Sequence, residues 1–239
     1  MSIILPATDE PRSLTETVRR IRKLLPEYRL QLIVVTHPKL TTPACREAIS
    51  ELQKEYPTEV ETFDQKNPGL GSAVQEAFAR ARGTYTALMS ADLETDPAVL
   101  PLMLQEVGNG ADIAVTTRWR RGARFKGYDP LKFVLNFIFQ QIFRLLYWTP
   151  LSDLTYAYRI YCTPIVRAIR WEESGFPFLF ESILKPLRLG YKVAEVDAPW
   201  IARTEGVSHN SFKQTFSYTW VGFRVRFQRK AKMIYTVAQ

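Results

Sequence analysis

Tyr85-Thr-Ala-Leu-Met-Ser-Ala-Asp92-Leu-Glu94 is the stretch that decides the fold. Tyr85 to Met89 reads as an apolar strand, and Ser90-Ala-Asp92 stops it. On its N-terminal side, Gly69-Leu-Gly71-Ser72 precedes a helix that runs through Ala81. On its C-terminal side, Pro97 to Glu106 reads as a helix and Ile113 to Thr116 as a strand. The same alternation extends back to the start. Ser2 to Leu5, Leu30 to Val35 and Val60 to Phe63 read as strands. Ser13 with Glu16 three positions on forms a capping box for a helix to about Leu25. Thr42-Pro43 opens another helix, with proline in a favoured first-turn position. Strand and helix alternating over the first 117 residues predict an α/β domain, a mostly parallel central sheet flanked by helices. Such sheets bind ligands at the carboxyl ends of their strands. Three strand ends carry polar residues: Thr8-Asp9-Glu10, Thr36-His37 and Ser90-Ala-Asp92-Leu-Glu94.

The chain has 239 residues, enough for a full hydrophobic core. A net charge of +8 suits anionic partners such as nucleotide phosphates, lipid headgroups or nucleic acid, but does not choose among them. No nucleic-acid module is recognisable, so nucleic acid is not an expected partner. Two cysteines, Cys45 and Cys162, and two histidines, His37 and His209, cannot make a zinc cluster or a disulfide framework. That usage predicts a reducing, cytoplasmic compartment. The start, Met1-Ser-Ile-Ile-Leu-Pro6, lacks the basic region and cleavage site of a signal peptide. No stretch reaches the length of a membrane span; Leu131 to Trp148 comes nearest and is interrupted by Lys132 and Arg144.

The second half reads differently. Residues 118 to 130 are basic and irregular, with Arg118, Arg120, Arg121, Arg124 and Lys126. Residues 131 to 148 read as a very apolar helix in which Lys132, Asn136, Gln140 and Arg144 form one narrow polar stripe. Two placements are open. The stripe faces water while the apolar face packs on the sheet or a partner, or the helix lies in a membrane interface with Phe133, Phe137, Ile138 and Tyr147 in lipid. Residues 153 to 203 read as turns, a helix from Glu181 to Leu189 and a strand from Lys192 to Val196. Residues 216 to 239 form a basic aromatic tail, whose Arg224, Arg226, Arg229, Lys230 and Lys232 would add attraction to anionic lipid.

Several blocks, collinear over about residues 2 to 215, resemble the family-two glycosyltransferases, in particular the dolichyl-phosphate mannosyltransferase and polyprenyl-phosphate sugar transferase branch. Ser2-Ile-Ile-Leu-Pro-Ala-Thr-Asp-Glu10 is similar to the family's opening strand and P-A-Y-N-E turn. Asn67-Pro-Gly-Leu-Gly-Ser-Ala73 resembles N-x-G-x-G-x-A. The stretch ending in Asp92-Leu-Glu94 resembles the strand carrying the D-x-D metal motif. Thr117-Arg-Trp119 resembles S-R-Y, Asp153-Leu-Thr-Tyr-Ala-Tyr-Arg159 resembles D-x-T-x-G-F-R, and Arg203-Thr-Glu-Gly-Val-Ser-His209 resembles R-x-x-G-x-S-K.

The resemblance implies a GT-A fold and an inverting, metal-dependent transfer of a sugar from a GDP- or UDP-sugar to a polyprenyl or dolichyl phosphate. The enzyme would be cytoplasmic or peripheral on the membrane. Asp92 and Glu94 would hold Mg²⁺ or Mn²⁺ against the leaving diphosphate. Pro6, Glu10 and Gly71 fall in the donor-binding blocks. Arg118, Arg159 and Arg203 match basic positions near the phosphates, and His209 stands where the last motif has lysine. An anionic acceptor needs no base; a hydroxyl acceptor would, and Asp153 is then the candidate. Each residue also has a plainer reading: Asp92 and Glu94 near a helix start that Asp96 caps better, Gly69 and Gly71 as tight-turn residues, Arg159 as an ion-pair partner, Asp153 as a turn cap. The chain departs from the pattern at Ser90 for the first metal-motif aspartate, at Thr36-His37 for paired aspartates, and at Thr8-Asp9. These departures leave open an unusual donor, or a weakened or inactive relative that binds nucleotide or lipid.

Overall fold

The structure is a computed structural model describing residues 1–120, 130–198 and 213–235, with the side chains of 130–132 and 213–215 left out. Seven strands form one sheet: β1 (Ser2–Pro6), β2 (Gln31–Thr36), β3 (Val60–Asp64), β4 (Tyr85–Leu88), β5 (Ile113–Thr117), β6 (Arg159–Cys162) and β7 (Val193–Asp197). Their order is β3-β2-β1-β4-β6-β5-β7. β6 runs antiparallel to both neighbours, and every other pairing is parallel. Helices α1 (Pro11–Leu24), α2 (Pro43–Glu55) and α4 (Leu100–Gly108) cover one face. Helices α3 (Leu70–Arg80), α5 (Pro130–Tyr147), α6 (Thr163–Ala168), α7 (Phe178–Leu189) and α8 (Lys213–Phe227) cover the other. With both faces covered, central strands such as Ile3-Ile4-Leu5 and Leu32-Ile33-Val34 are apolar throughout and fully buried.

Local chemistry starts most helices where the sequence places them. Thr42 caps α2 by accepting from the Cys45 amide, and Asp96 caps the 3₁₀ turn Pro97–Val99 by accepting from the Ala98 amide at 3.0 Å. Four expectations change. Helix α1 begins at Pro11, not after Ser13, because proline fits the first turn. Ser13 is buried, and Glu16 pairs with Arg20 instead of closing a capping box. Strand β6 was not expected; Arg159–Cys162 lies in the segment read as turns. In the polar stripe of α5, Gln140 is 0% exposed and Asn136 and Arg144 are half-buried, while Leu135, Phe137, Ile138, Ile142 and Leu145 are exposed. Residues 213–227 form a helix, where a tail was expected from 216 on, and its Val221 and Val225 are buried.

An ionic cluster seats α8 on α7. Lys185 bonds Glu181 and Glu172, each at 2.8 Å, and Arg224 reaches Glu173 at 3.0 Å and Glu181 at 3.3 Å. Every charge in this half-buried group faces an opposite one, the condition under which buried charge is tolerated. Gly222 gives α8 its close approach to α5, since a Cβ there would collide with the Phe143 ring.

Candidate active site

The chain leaves β1 toward β2 on one side and β4 toward β5 on the other, so the sheet order reverses between β1 and β4. A crevice outside the carboxyl ends of two such strands is where open α/β sheets take ligands. The β1 end carries Pro6 and then Glu10. The Glu10 carboxylate accepts from the amides of Thr8 at 3.0 Å and Asp9 at 2.8 Å, which folds the turn into α1. The β4 end carries the loop from Ser90 to Asp96. Burial raises the Glu10 carboxyl above its ordinary range; the two amides oppose the shift and the Asp92 charge adds to it. Glu10 and Asp92 thus follow the carboxyl ends of two paired strands, β1 and β4.

The 90–96 loop is tightly specified. Asp92 accepts from the Glu94 amide at 3.0 Å, and Leu93 between them takes a left-handed φ of 63°, a conformation costly for a side-chain-bearing residue. Ser90 and Thr95 share a hydroxyl–hydroxyl bond of 3.0 Å. Two tyrosines hold the loop from the next segment: Tyr156 donates to the Glu94 carbonyl at 2.8 Å and Tyr158 to the Asp96 carbonyl at 3.1 Å.

Arg118, one residue past β5, forms the other flank. Its Nε donates to Asp153 Oδ2 at 2.7 Å, its Nη2 donates to Asp153 Oδ1 at 3.1 Å and Thr155 Oγ1 at 3.2 Å, and its guanidinium lies over the Tyr156 ring at 4.6 Å. Asp153 is buried and also accepts from Gln140, from the Thr155 hydroxyl and from the amides of Thr155 and Tyr156. Burial pushes its carboxyl up, but Arg118 and these donors outweigh burial and hold it below its ordinary value. Glu195 fixes the same turn by accepting from the amides of Ser152 and Asp153, and pairs with Arg120 at 3.0 Å.

Other expected site residues stand elsewhere. Arg159 is 0% exposed, and its guanidinium donates to the carbonyls of Leu154 and Leu179 and to the Ser182 hydroxyl, inside the core. Gly71 packs against the Glu173–Ser174 backbone, where any Cβ would collide. His37 accepts the amides of Lys39 and Leu40 in a loop turn. Arg203 and His209 lie outside the described residues. The sequence reading passed over Asp64, Thr155 and Tyr156. Asp64 ends β3 and bonds Thr36 Oγ1 at 2.8 Å and Arg46 at 2.9 Å, bringing a carboxylate to the β2 end that lacks one of its own.

Among the described residues no three His, Cys, Asp or Glu side chains gather into a metal cage. The donors present fit another kind of site. Mg²⁺ and Mn²⁺ take hard oxygens, and Mg²⁺ is commonly held by one or two carboxylates with the remainder from phosphates and water. Asp92 and Glu94 on one turn match that pattern.

A family model described as glycosyl transferase family 2 matches residues 2–170. The chain belongs to that family. It is 26% identical over 220 residues to a dolichol-phosphate mannosyltransferase of Pyrococcus furiosus, covering 91% of this chain and 61% of that protein. It therefore spans somewhat under two thirds of that relative's length. It is 26% identical to a polyprenol monophosphomannose synthase of Mycolicibacterium smegmatis, over 87% of this chain and 80% of the relative. It is 27% identical to an undecaprenyl-phosphate mannosyltransferase of Micrococcus luteus, over 87% and 86%. Among solved structures, glucosyl-3-phosphoglycerate synthase of Mycobacterium tuberculosis, in complex with Mn²⁺, UDP and phosphoglyceric acid, superposes with a TM-score of 0.69 at 14% identity, covering 94% of this chain and 77% of that one. The chain thus has the GT-A fold.

Proposed function

We propose that this glycosyltransferase moves a sugar from a nucleoside-diphospho-sugar to a polyprenyl phosphate at the cytosolic face of a membrane, with inversion at the anomeric carbon. One observation carries the reading: the Asp92–Glu94 turn and Glu10 follow the ends of the paired strands β4 and β1, while the Arg118 guanidinium, bonded to Asp153, lies over Tyr156, which holds the same turn. The names of the relatives, which are mannosyltransferases and a mannose synthase of polyprenol-type phosphates, support the acceptor class.

Asp92 and Glu94 would hold Mg²⁺ or Mn²⁺, which when bound neutralises charge on the leaving diphosphate. Pro6, Glu10 and Asp64 border the donor's nucleoside. Arg118 is the cation for a phosphate, since a planar guanidinium suits phosphate oxygens. An acceptor phosphate oxygen attacks the anomeric carbon as the bond from that carbon to the β-phosphate oxygen breaks. The electron pair leaves with the nucleoside diphosphate, and the product is a polyprenyl-phospho-sugar. The nucleophile is already anionic, so orientation and charge stabilisation do the catalysis and no base is required. Asp153 is assigned to holding Arg118, since donors already surround both its oxygens. Arg159 and Gly71 are assigned to the scaffold.

The exposed apolar faces of α5 and α8 are assigned to the lipid surface. Trp148 is 83% and Phe216 86% exposed, and Phe137, Leu145, Trp220 and Phe227 are exposed as well. Arg229, Lys230 and Lys232 follow α8 and complement anionic headgroups. Among the described residues no helix is long and apolar enough to cross a membrane.

The Ser90–Thr95 bond favours a second reading, a relative that binds nucleotide with weak or no catalysis, because it takes up the hydroxyl at the first metal-motif position. Calorimetric titration with GDP and with UDP, with and without Mn²⁺, tests the first reading. The first reading requires metal-dependent binding of one of them, and its absence in folded protein refutes that reading; sugar transfer to undecaprenyl phosphate separates it from the second.

A further inference from the structure

Helix α5 carries one side chain that its surroundings do not predict. Gln140 is fully buried on a helix whose Val134, Leu135, Ile138 and Ile142 stand about half exposed. Both ends of its amide grip a single turn: Oε1 accepts from the Leu154 amide at 2.9 Å, and Nε2 donates to Thr155 Oγ1 at 2.9 Å and Asp153 Oδ1 at 3.2 Å. The same Asp153 and Thr155 oxygens receive Arg118. The turn continues through Tyr156 to the Glu94 carbonyl. One amide thus joins the helix with the exposed apolar face to the turn that sets Arg118 and braces the Asp92–Glu94 loop.

We propose that Gln140 is a positioning residue that fixes the height of Arg118 above the lipid-facing side of α5, so that a phosphate held at headgroup level meets the guanidinium. The inference rests on the lipid-phosphate reading above. A phosphate anchored in a bilayer cannot adjust its depth freely, whereas one on a short soluble chain can. Loss of the Gln140 bridge therefore weakens recognition of the anchored phosphate and spares the soluble one. The Arg118–Asp153 pair, which is bonded directly, survives the loss.

Gln140→Met keeps the volume of the side chain and removes its hydrogen bonds. Binding is measured to vesicles of phosphatidylcholine and phosphatidylglycerol, with and without undecaprenyl phosphate, and to a short water-soluble prenyl phosphate. Wild type binds more tightly when undecaprenyl phosphate is present. In Gln140→Met that added affinity falls about ten-fold, or about 1.4 kcal/mol. Binding to plain vesicles and to the soluble phosphate stays within about two-fold, the scale of a substitution that touches neither. Gln140→Asn, which keeps an amide one methylene short, gives the same pattern should the methionine variant melt early. Equal loss for the soluble and the anchored phosphate, or an unchanged preference in folded variants, overturns the inference while leaving the proposed function intact. A wild type indifferent to undecaprenyl phosphate sinks the acceptor assignment and the inference with it.

Discussion

Asp153→Asn separates two accounts of the residue that make opposite forecasts. Asp153 is buried, and its carboxylate receives the Arg118 fork as well as Gln140, the Thr155 hydroxyl and two backbone amides. Asparagine keeps one acceptor oxygen and turns an N–H₂ toward a donor, so the Arg118 charge loses its partner. Breaking a buried pair costs about 3–5 kcal/mol. The Arg118 side chain keeps 12% exposure and some hydration, which places the expected loss near the lower bound, about 3 kcal/mol. For a domain of this size that lowers Tm by about 6–12 °C. Scanning calorimetry reads the shift, and titration with Mn²⁺ and nucleotide reads the donor site. If Asp153 were a general base, the variant would melt like wild type, bind nucleotide normally and fail only in turnover. A Tm within about 2 °C of wild type, less than 1 kcal/mol, together with lost turnover, would refute the positioning role.

Three further outcomes follow from the same structure. Gly71→Ala places a methyl against the Glu173–Ser174 backbone and Phe178, and should destabilise by about 1–3 kcal/mol in a urea titration. The depressed carboxyl of Asp153 contributes stability that is fully present above the ordinary carboxylate range and is lost as pH falls through its lower folded value. Asp153→Asn should therefore flatten the acid limb of the stability curve below about pH 4; an unchanged limb counts against the Arg118–Asp153 pair. Fluorescence of Trp148 and Trp220 should shift to the blue on anionic vesicles, and high salt should weaken the shift; indifference to vesicles would remove the lipid-surface assignment.

The first 117 residues were legible because both faces of the sheet are covered and its strands are short apolar runs separated by proline and cap residues. Strand β6 was not, because Arg159 sits in the middle of the sheet and the antiparallel pairing depends on β4 and β5, distant in sequence. In α5 the periodicity was read correctly, but its facing could not be read. A polar stripe ordinarily faces water, and here the buried 153–155 turn offers its own donors and acceptors to Gln140. Helix α8 mixes aromatic and basic residues around its circumference, so its placement comes from Glu173 and Glu181 on and before α7. Of the proposed site residues, Glu10, Asp92 and Glu94 stand out by residue type and strand-end position, and Arg118 through the resemblance of Thr117-Arg-Trp119 to S-R-Y. Tyr156 did not, since its task is to hold a backbone carbonyl sixty-two residues away.

Sugar transfer itself is the most direct measure of the proposed activity. Purified protein is mixed with a labelled GDP- or UDP-sugar, undecaprenyl phosphate in anionic vesicles, and Mg²⁺ or Mn²⁺, and the lipid phase is counted. Wild type should form an acid-labile glycolipid with at least one donor, chelator should stop it, and Asp92→Asn should abolish it while melting like wild type. Glycolipid made equally well by Asp92→Asn, or none made by folded wild type with any donor, would contradict it.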